Sequence, residues 1–281
     1  MKLLQPLNEA MHYIEENLHQ SIDLKEVAKQ ALSSEYQFKR IFSFLSGMTL
    51  SEYIRKRRMT LAAMDLQKEE IKVIDLANRY NYSSPDSFSR AFESFHGVLP
   101  SDVGRSPHTV KSCPKLSFRL TIEGGVEMKY RIEEKQALQV VGIKKQLTME
   151  DGELNPSYDE VIAELTDDLM EELIELSDTE PEGVIHVTTD YSETTQHQET
   201  FNHYIGAAVQ SSYSGKKETK IVPASTWAVF EMEGDWESIE EEWTRIYSEW
   251  LPSSNYELVK GAEILASKDN HSEVWIQVKK K

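Results

Sequence analysis

A positively charged side chain in the first turns of a helix can reach the edge of a guanine or a phosphate oxygen, and only the first contact specifies sequence. The chain offers that chemistry twice. Lys39 and Arg40 follow Ser34 in SSEYQFKRIFSFLSG, and Arg90 follows Ser84 in SSPDSFSRAFESFHG. By residue type Lys39 is the best base reader, with a phosphate contact as its alternative. Arg40 and Arg90 hold equivalent positions, where a base contact and a salt bridge to neighbours both fit. Asp86 cannot favour a phosphate; it either accepts from a cytosine or caps its own helix, and capping suits it better. The basic run Arg55, Lys56, Arg57 and Arg58 is either a functional patch or a solvated face with internal pairs to Glu52 and Asp65.

These residues belong to elements that occur in duplicate. Ala28 aligns with Ala77 at an offset of 49, then Phe38 with Phe88, Arg40 with Arg90, Phe42 with Phe92 and Gly47 with Gly97 at an offset of 50. One residue has been added in the turn of the second copy, and Asn81 in that turn tolerates the left-handed backbone it requires. Each copy reads as a short helix, a tight connection and a longer helix that ends in glycine. Asp23 with Glu26, and Ser34 with Gln37, form capping boxes, while Ser84 precedes a proline suited to the first helical position. A helix over 6–19 precedes the repeat, and one from Thr49 to about Gln67 joins the copies.

Charge divides the chain. Residues 1–125 carry 17 Lys and Arg against 15 Asp and Glu, whereas residues 126–281 carry 14 against 33 and hold all five tryptophans. Such a shift fits two domains with different tasks. Cys113 is the single cysteine, which excludes an intrachain disulfide and a cysteine metal cluster. No apolar run approaches 18 residues, so no membrane partner is expected, and the lone thiol points to the cytoplasm. The eight histidines have neither HExxH nor His/Cys spacing, and no Ser-His-Asp or Cys-His arrangement supports nucleophilic catalysis. The expectation is therefore no metal, no cofactor and no catalytic residue.

The stretch 6–103 resembles the two-motif DNA-binding domain of AraC-type transcriptional regulators, in the MarA/SoxS/Rob-like subgroup. YIEENL, SEYIRKRRMTLAA and YSSPDSFSRAFESFHGVLPS carry the resemblance. It implies base-reading positions at Tyr36, Gln37, Lys39 and Arg40 and at Asp86, Ser87, Ser89 and Arg90. Leu32 departs from the family, which usually has glycine there, and SDVGRS departs from its usual last helix.

Residues 107–126 read as a connector, in which LSFRLTIEGG is a short strand docking on the second domain. Beyond it the pattern alternates. Strands are expected at 128–133, ALQVVGIKK, GVIHVTT, HYIGAAVQ, TWAVFEME, YELVKGAEIL and EVWIQVK, with helices over 159–177 and 238–251. The order strand, helix, strand, strand occurs twice. The first helix is acidic outside, at Glu171 and Glu172 among others, which reads as a solvated face. Trp243 and Trp250, at helical spacing, read as core.

YIGAAV, PASTWAVFEMEG, GAEIL and EVWIQVK, in that order, resemble the GyrI-like effector-binding domain. The resemblance implies an amphipathic or cationic small molecule held in an aromatic pocket near Glu263, with Tyr204, Trp227 and Trp275 at matching positions. Each residue also has an ordinary reading: Glu263 as a surface carboxylate and Trp275 as packing.

The expected chain is thus multidomain. Residues 1–106 form an all-α domain with two helix-turn-helix motifs, and 127–281 an α+β domain with an antiparallel sheet and two helices. The expected partners are double-stranded DNA, a small-molecule effector and RNA polymerase, and the resemblance favours activation. Two alternatives stay open: a hydrolase in which Glu263 activates water, and a protein-binding module that uses the acidic face.

Overall fold

The computed structural model describes residues 5–68, 71–103, 109–119, 127–150, 153–193, 199–233, 236–268 and 271–281. The chain divides into two compact units, 1–39 with 49–121 and 40–48 with 122–281.

The first unit is helical. It contains α1 (Gln5–Glu16), α2 (Leu24–Gln30), the first residues of α3 (Glu35–Ser46), α4 (Leu50–Lys68), α5 (Val73–Arg79), α6 (Pro85–His96) and α7 (Pro100–Val103). α1 buries Leu7, Ala10, Met11 and Ile14 along one stripe. The sequence duplication is reproduced bond for bond. Leu32 (φ 51°) and Asn81 (φ 61°) take the left-handed turn in the two copies. The next amide reaches back to the first helix in each, Ser33 N to Ala28 O at 3.0 Å and Tyr82 N to Ala77 O at 2.8 Å. Ser34 then accepts from Gln37 N and Ser84 from Ser87 N, both at 3.1 Å. Gly47 (φ 68°) and Gly97 (φ 77°) end the longer helices where a Cβ would be strained.

The middle helix, α4, is a scaffold. Met59, Ala62, Ala63 and Leu66 pack with Leu76, Ala77, Tyr80, Phe88, Phe92 and Val103 in one cluster. Three of its four consecutive basic residues are structural ties. Arg57 pairs with Glu15 at 2.8 Å and donates to Cys113 O, Arg58 donates to Leu18 O and Gln20 O, and Lys56 pairs with Glu52. Asp23 caps α2 through Lys25 N, while Glu26 bonds forward to Lys29 and Gln30. Residues of the expected connector also bond within this unit: Cys113 N to Thr60 Oγ1, Leu116 N to the Tyr53 hydroxyl, and Phe118 N and O to the Asn8 side chain. The expected strand over 116–125 is not formed at residues 116–119, and its remainder, 120–125, lies outside the described residues.

The second unit holds β1 (Tyr130–Lys135), β2 (Leu138–Glu150), β3 (Glu153–Asn155), α8 (Tyr158–Ile162), α9 (Asp167–Leu176), β4 (Val184–Glu193), β5 (Glu199–Val209), β6 (Glu218–Val222), β7 (Ser225–Glu233), α10 (Trp236–Arg245), a π-helical turn (Ile246–Trp250), α11 (Leu251–Ser253), β8 (Tyr256–Lys268) and β9 (His271–Lys280). The described strands form one sheet in the order β1-β7-β9-β8-β4-β5-β2-β3, with β6 also on β2, and every pairing is antiparallel. The expected α+β class holds. The single helix expected over 159–177 is instead two, because Thr166 caps a new start by accepting from Leu169 N at 3.3 Å.

The pleat separates two chemistries. One face buries Val140, Ile185, Val187, Tyr204, Trp227, Val229, Ile264 and Trp275 in a cluster joined by Leu138 and Val222, so strands distant in the sheet order meet across it. The opposite face carries α9 on Val141, Ala207 and Val209, and α8 on Leu147 and Ile205. Gly142 and Gly206 are paired across β2 and β5, where a Cβ on Gly142 would lie 2.1 Å from Ile205 O. Only glycine allows that approach.

Candidate functional site

On the helix-bearing face of the sheet, alternate residues of four neighbouring strands floor a cavity of about 410 Å³. β2 supplies Leu147 and Met149, β5 supplies Glu199, Phe201 and His203, β4 supplies His186 and Thr188, and β8 supplies Glu263 and Leu265. The register explains the grouping. Leu147 stands opposite Phe201, Thr188 opposite both His203 and Glu263, and His186 opposite Leu265. Tyr158, Asp159, Tyr191, Trp243, Arg40 and Phe44 complete the lining.

Glu263 is only 6% exposed. It follows a break in register between Leu258 and Glu263, where Gln277 accepts from Ala262 N at 2.6 Å and so replaces a missing ladder bond. Its carboxylate is fully engaged. Arg40 Nε donates to Oε1 at 3.2 Å and Arg40 Nη2 to Oε2 at 2.8 Å, a forked pairing. The Tyr247 hydroxyl donates to Oε1 at 2.8 Å and the Tyr191 hydroxyl to Oε2 at 3.4 Å. Arg40 Nη2 also donates to Tyr191 Oη at 2.9 Å, and the guanidinium carbon lies 4.1 Å from the centre of the Tyr191 ring. Burial works against the charge on Arg40, yet Glu263 together with Tyr191, Tyr247 and Glu199 outweighs it and holds the pKa well above the usual arginine value. Phe44, one turn further along α3, stacks on Tyr247 at 4.8 Å.

A second polar group lies on the floor. The Tyr158 hydroxyl is 2.9 Å from His186 Nδ1, His186 Nδ1 is 3.3 Å from His203 Nε2, and His203 Nδ1 is 3.2 Å from Thr188 Oγ1. With neutral rings, the Thr188 hydroxyl donates to His203 Nδ1, while the Tyr158 hydroxyl and His203 Nε2 share the single lone pair of His186 Nδ1. Burial lowers both histidines to about 4, His186 adding to the effect on His203, and raises Tyr158 to about 12. Trp243 presents an indole Nε1 with no hydrogen-bond partner.

Of the four residues expected around an effector, only Glu263 lines this cavity. Tyr204, Trp227 and Trp275 are buried on the other face, with the two indoles 6.0 Å apart. A strand alternates faces residue by residue, so Tyr204 points away because His203 points in. Trp243, expected in the core, lines the cavity instead. The residues not singled out from the sequence include Tyr158, His186, Thr188, Tyr191, Glu199, Phe201, His203 and Tyr247. A signal was present for some of them: over Ile185–Thr188, polar His186 and Thr188 alternate with apolar Ile185 and Val187.

In the helical repeat, Tyr36, Ser87 and Ser89 are half-buried, Lys39 is half-buried, and Asp86 and Arg90 are exposed. Gln37, expected to face outward, is 5% exposed, and its Oε1 has no hydrogen-bond partner. Ser87 Oγ donates to Ser84 O at 2.8 Å. Arg40 stands apart from this group, in the second unit's cavity.

No described helix is long and apolar enough to cross a membrane, and no group of three or more His, Cys, Asp or Glu among the described residues could hold a metal ion.

Comparison with known proteins matches residues 128–279 to the family model for a GyrI-like small molecule binding domain and residues 27–106 to one for a helix-turn-helix domain. The HTH-type transcriptional activator AarP of Providencia stuartii is 36% identical over 95 residues, 34% of this chain and 70% of its own length. The TetD protein of transposon Tn10 from Escherichia coli is 37% identical over 100 residues, 36% of this chain and 72% of its own length. The regulatory protein SoxS of Escherichia coli K12 is 35% identical over 101 residues, 36% of this chain and 92% of its own length.

Proposed function

The chain belongs to the GyrI-like small molecule binding family and joins that domain to an AraC-type helix-turn-helix domain, and from that premise we propose that it is a transcriptional activator switched by a small organic cation. The observation that carries the reading is Glu263, a carboxylate almost out of water inside a cavity whose lining includes the rings of Phe44, Tyr158, Tyr191, Phe201 and Trp243. A buried carboxylate demands a cation, and tyrosine faces attract a delocalised one. The cavity volume of about 410 Å³ suits a drug-sized molecule.

Double-stranded DNA is the second partner in this reading. Tyr36, Lys39 and Arg40 serve one major-groove segment, and Asp86, Ser87, Ser89 and Arg90 another, with 1–106 as the reading domain and 127–281 as the sensing one. The activator named among the relatives supports the sign, and RNA polymerase is then the partner of the DNA-bound form. Hydrolysis is disfavoured by the site itself. A carboxylate whose two oxygens accept from a guanidinium and two tyrosines is a weak base toward water.

Calorimetric titration of the full chain with aromatic and alkyl cations, each beside its neutral isostere, tests the sensing role. The expected result is binding of cations alone, lost in Glu263→Gln, together with a change in transcription in vitro from a bound promoter. Equal binding of cations and isosteres, or no effect on transcription, overturns it.

A further inference from the structure

Arg40 and Arg90 occupy the same position in the two copies of the repeat, yet Arg90 is exposed whereas the Arg40 side chain is 12% exposed. Arg40 already has what a cationic ligand would seek in the cavity: both oxygens of Glu263, the Tyr191 hydroxyl and the Tyr191 ring face. Its guanidinium is itself a planar, delocalised organic cation. The Phe44–Tyr247 stack closes beside it as an apolar group on a ligand would.

We propose that Arg40 is a resident ligand carried by the chain, which competes with the effector for Glu263 and leaves the cavity when the effector enters. The proposal rests on the cation-sensing reading above and specifies its regulation. One guanidinium cannot grip Glu263 and touch DNA at once. While it grips Glu263 the first copy of the repeat lacks the arginine that the second copy displays at the equivalent place. An effector that takes Glu263 therefore restores the pair. The effector distinguishes the two states because only one of them offers the carboxylate, and this difference in contacts is what any ligand-driven switch needs. The ligand class is set by the group it must replace: a delocalised cation, guanidinium or similar, on an apolar body.

Octylguanidinium is a suitable probe, titrated by calorimetry into the full chain, Arg40→Ala, Arg40→Gln and Glu263→Gln, with melting curves as a folding control. A cavity open about one tenth of the time weakens apparent affinity about tenfold, so removing the resident guanidinium should tighten probe binding by about that factor. Glu263→Gln should bind no probe. On a duplex selected by the wild-type chain from a random pool, the probe should tighten wild-type binding, and the duplex should tighten probe binding by the same factor, as linkage requires. Glu263→Gln should bind that duplex tightly with no probe. If the wild type binds the probe but both Arg40 variants bind it no better, competition by Arg40 is refuted and cation sensing survives. If neither the wild type nor the Arg40 variants bind any probe, the sensing reading fails and the competition falls with it.

Discussion

His186 Nδ1 and His203 Nε2 lie 3.3 Å apart on adjoining strands, close enough that a positive charge on one ring disfavours a charge on the other. Tyr158 and Thr188 complete a chain of neutral donors and acceptors around them. This part of the cavity floor is therefore polar but uncharged at neutral pH, and the carboxylates of the lining are those of Glu263, Glu199 and Asp159.

The pair makes stability depend on pH in a defined direction. Both rings titrate at about 4 in the folded chain, chiefly through burial, against an ordinary value of about 6.5. The unfolded chain thus binds more protons between those values, so the contribution is complete above about pH 6.5 and lost as the pH falls toward 4. The upper figure is on the order of 3 kcal/mol for each histidine. Denaturant midpoints of the wild type should fall across that window, and His203→Gln should flatten the slope. Equal slopes in the two proteins would contradict the assignment.

Tryptophans on opposite faces should separate into stability and binding. Trp227→Ala removes a side chain that is 1% exposed and should cost about 3–5 kcal/mol in unfolding measurements. Trp243→Ala, at the cavity lining, should leave stability nearly unchanged and weaken cation binding. The reverse pattern would place the site on the other face.

The ion pair of Glu15 with Arg57 is deeply set, with 9% and 10% of the two side chains exposed. Burial raises the Glu15 carboxyl, but bonds from Arg57 and Tyr53 more than compensate and hold it below the usual range. Arg57→Ala leaves that carboxylate unpaired and should destabilise the helical unit by about 3–5 kcal/mol. A loss below about 1 kcal/mol, typical of an exposed pair, would show that the pair is solvated.

Leu32 adopts φ 51° with 80% of its surface exposed, so its side chain gains little packing for a strained backbone. Leu32→Gly should raise the unfolding free energy by about 1 kcal/mol. Asn81→Ala, at the matching turn, should lower it by a similar amount.

On a selected duplex, Lys39→Ala should cost about 1–3 kcal/mol if the side chain reads a base. Equal losses on selected and random duplexes would assign it to phosphate instead.

The helical repeat was legible because its signals are local. Ser34, Ser84, Gly47, Gly97 and Asn81 each act within one turn of themselves, and the structure places each at the cap or turn its type demands. The α+β class was legible from periodicity, and Glu263 from a short strand motif. The rest of the cavity was not, because it depends on which of two faces a strand residue takes. Alternation gives relative parity within a strand but not which face meets the helices. Tyr204 and His203 are one residue apart and end in different environments. Tyr191 and Tyr247 reach Glu263 from positions 72 and 16 residues away, which only the register and the π-helical turn bring together. Thr166 broke a helix that apolar spacing alone read as continuous.

The separation of Trp227 and Trp275 from Trp243 by the thickness of a sheet also gives the molecule an optical reporter. An aromatic cation entering the cavity would quench emission from the indole at its wall and leave the paired indoles on the far side bright. Ligand entry could then be tracked, without an added dye, in the difference between Trp243→Phe and the wild type.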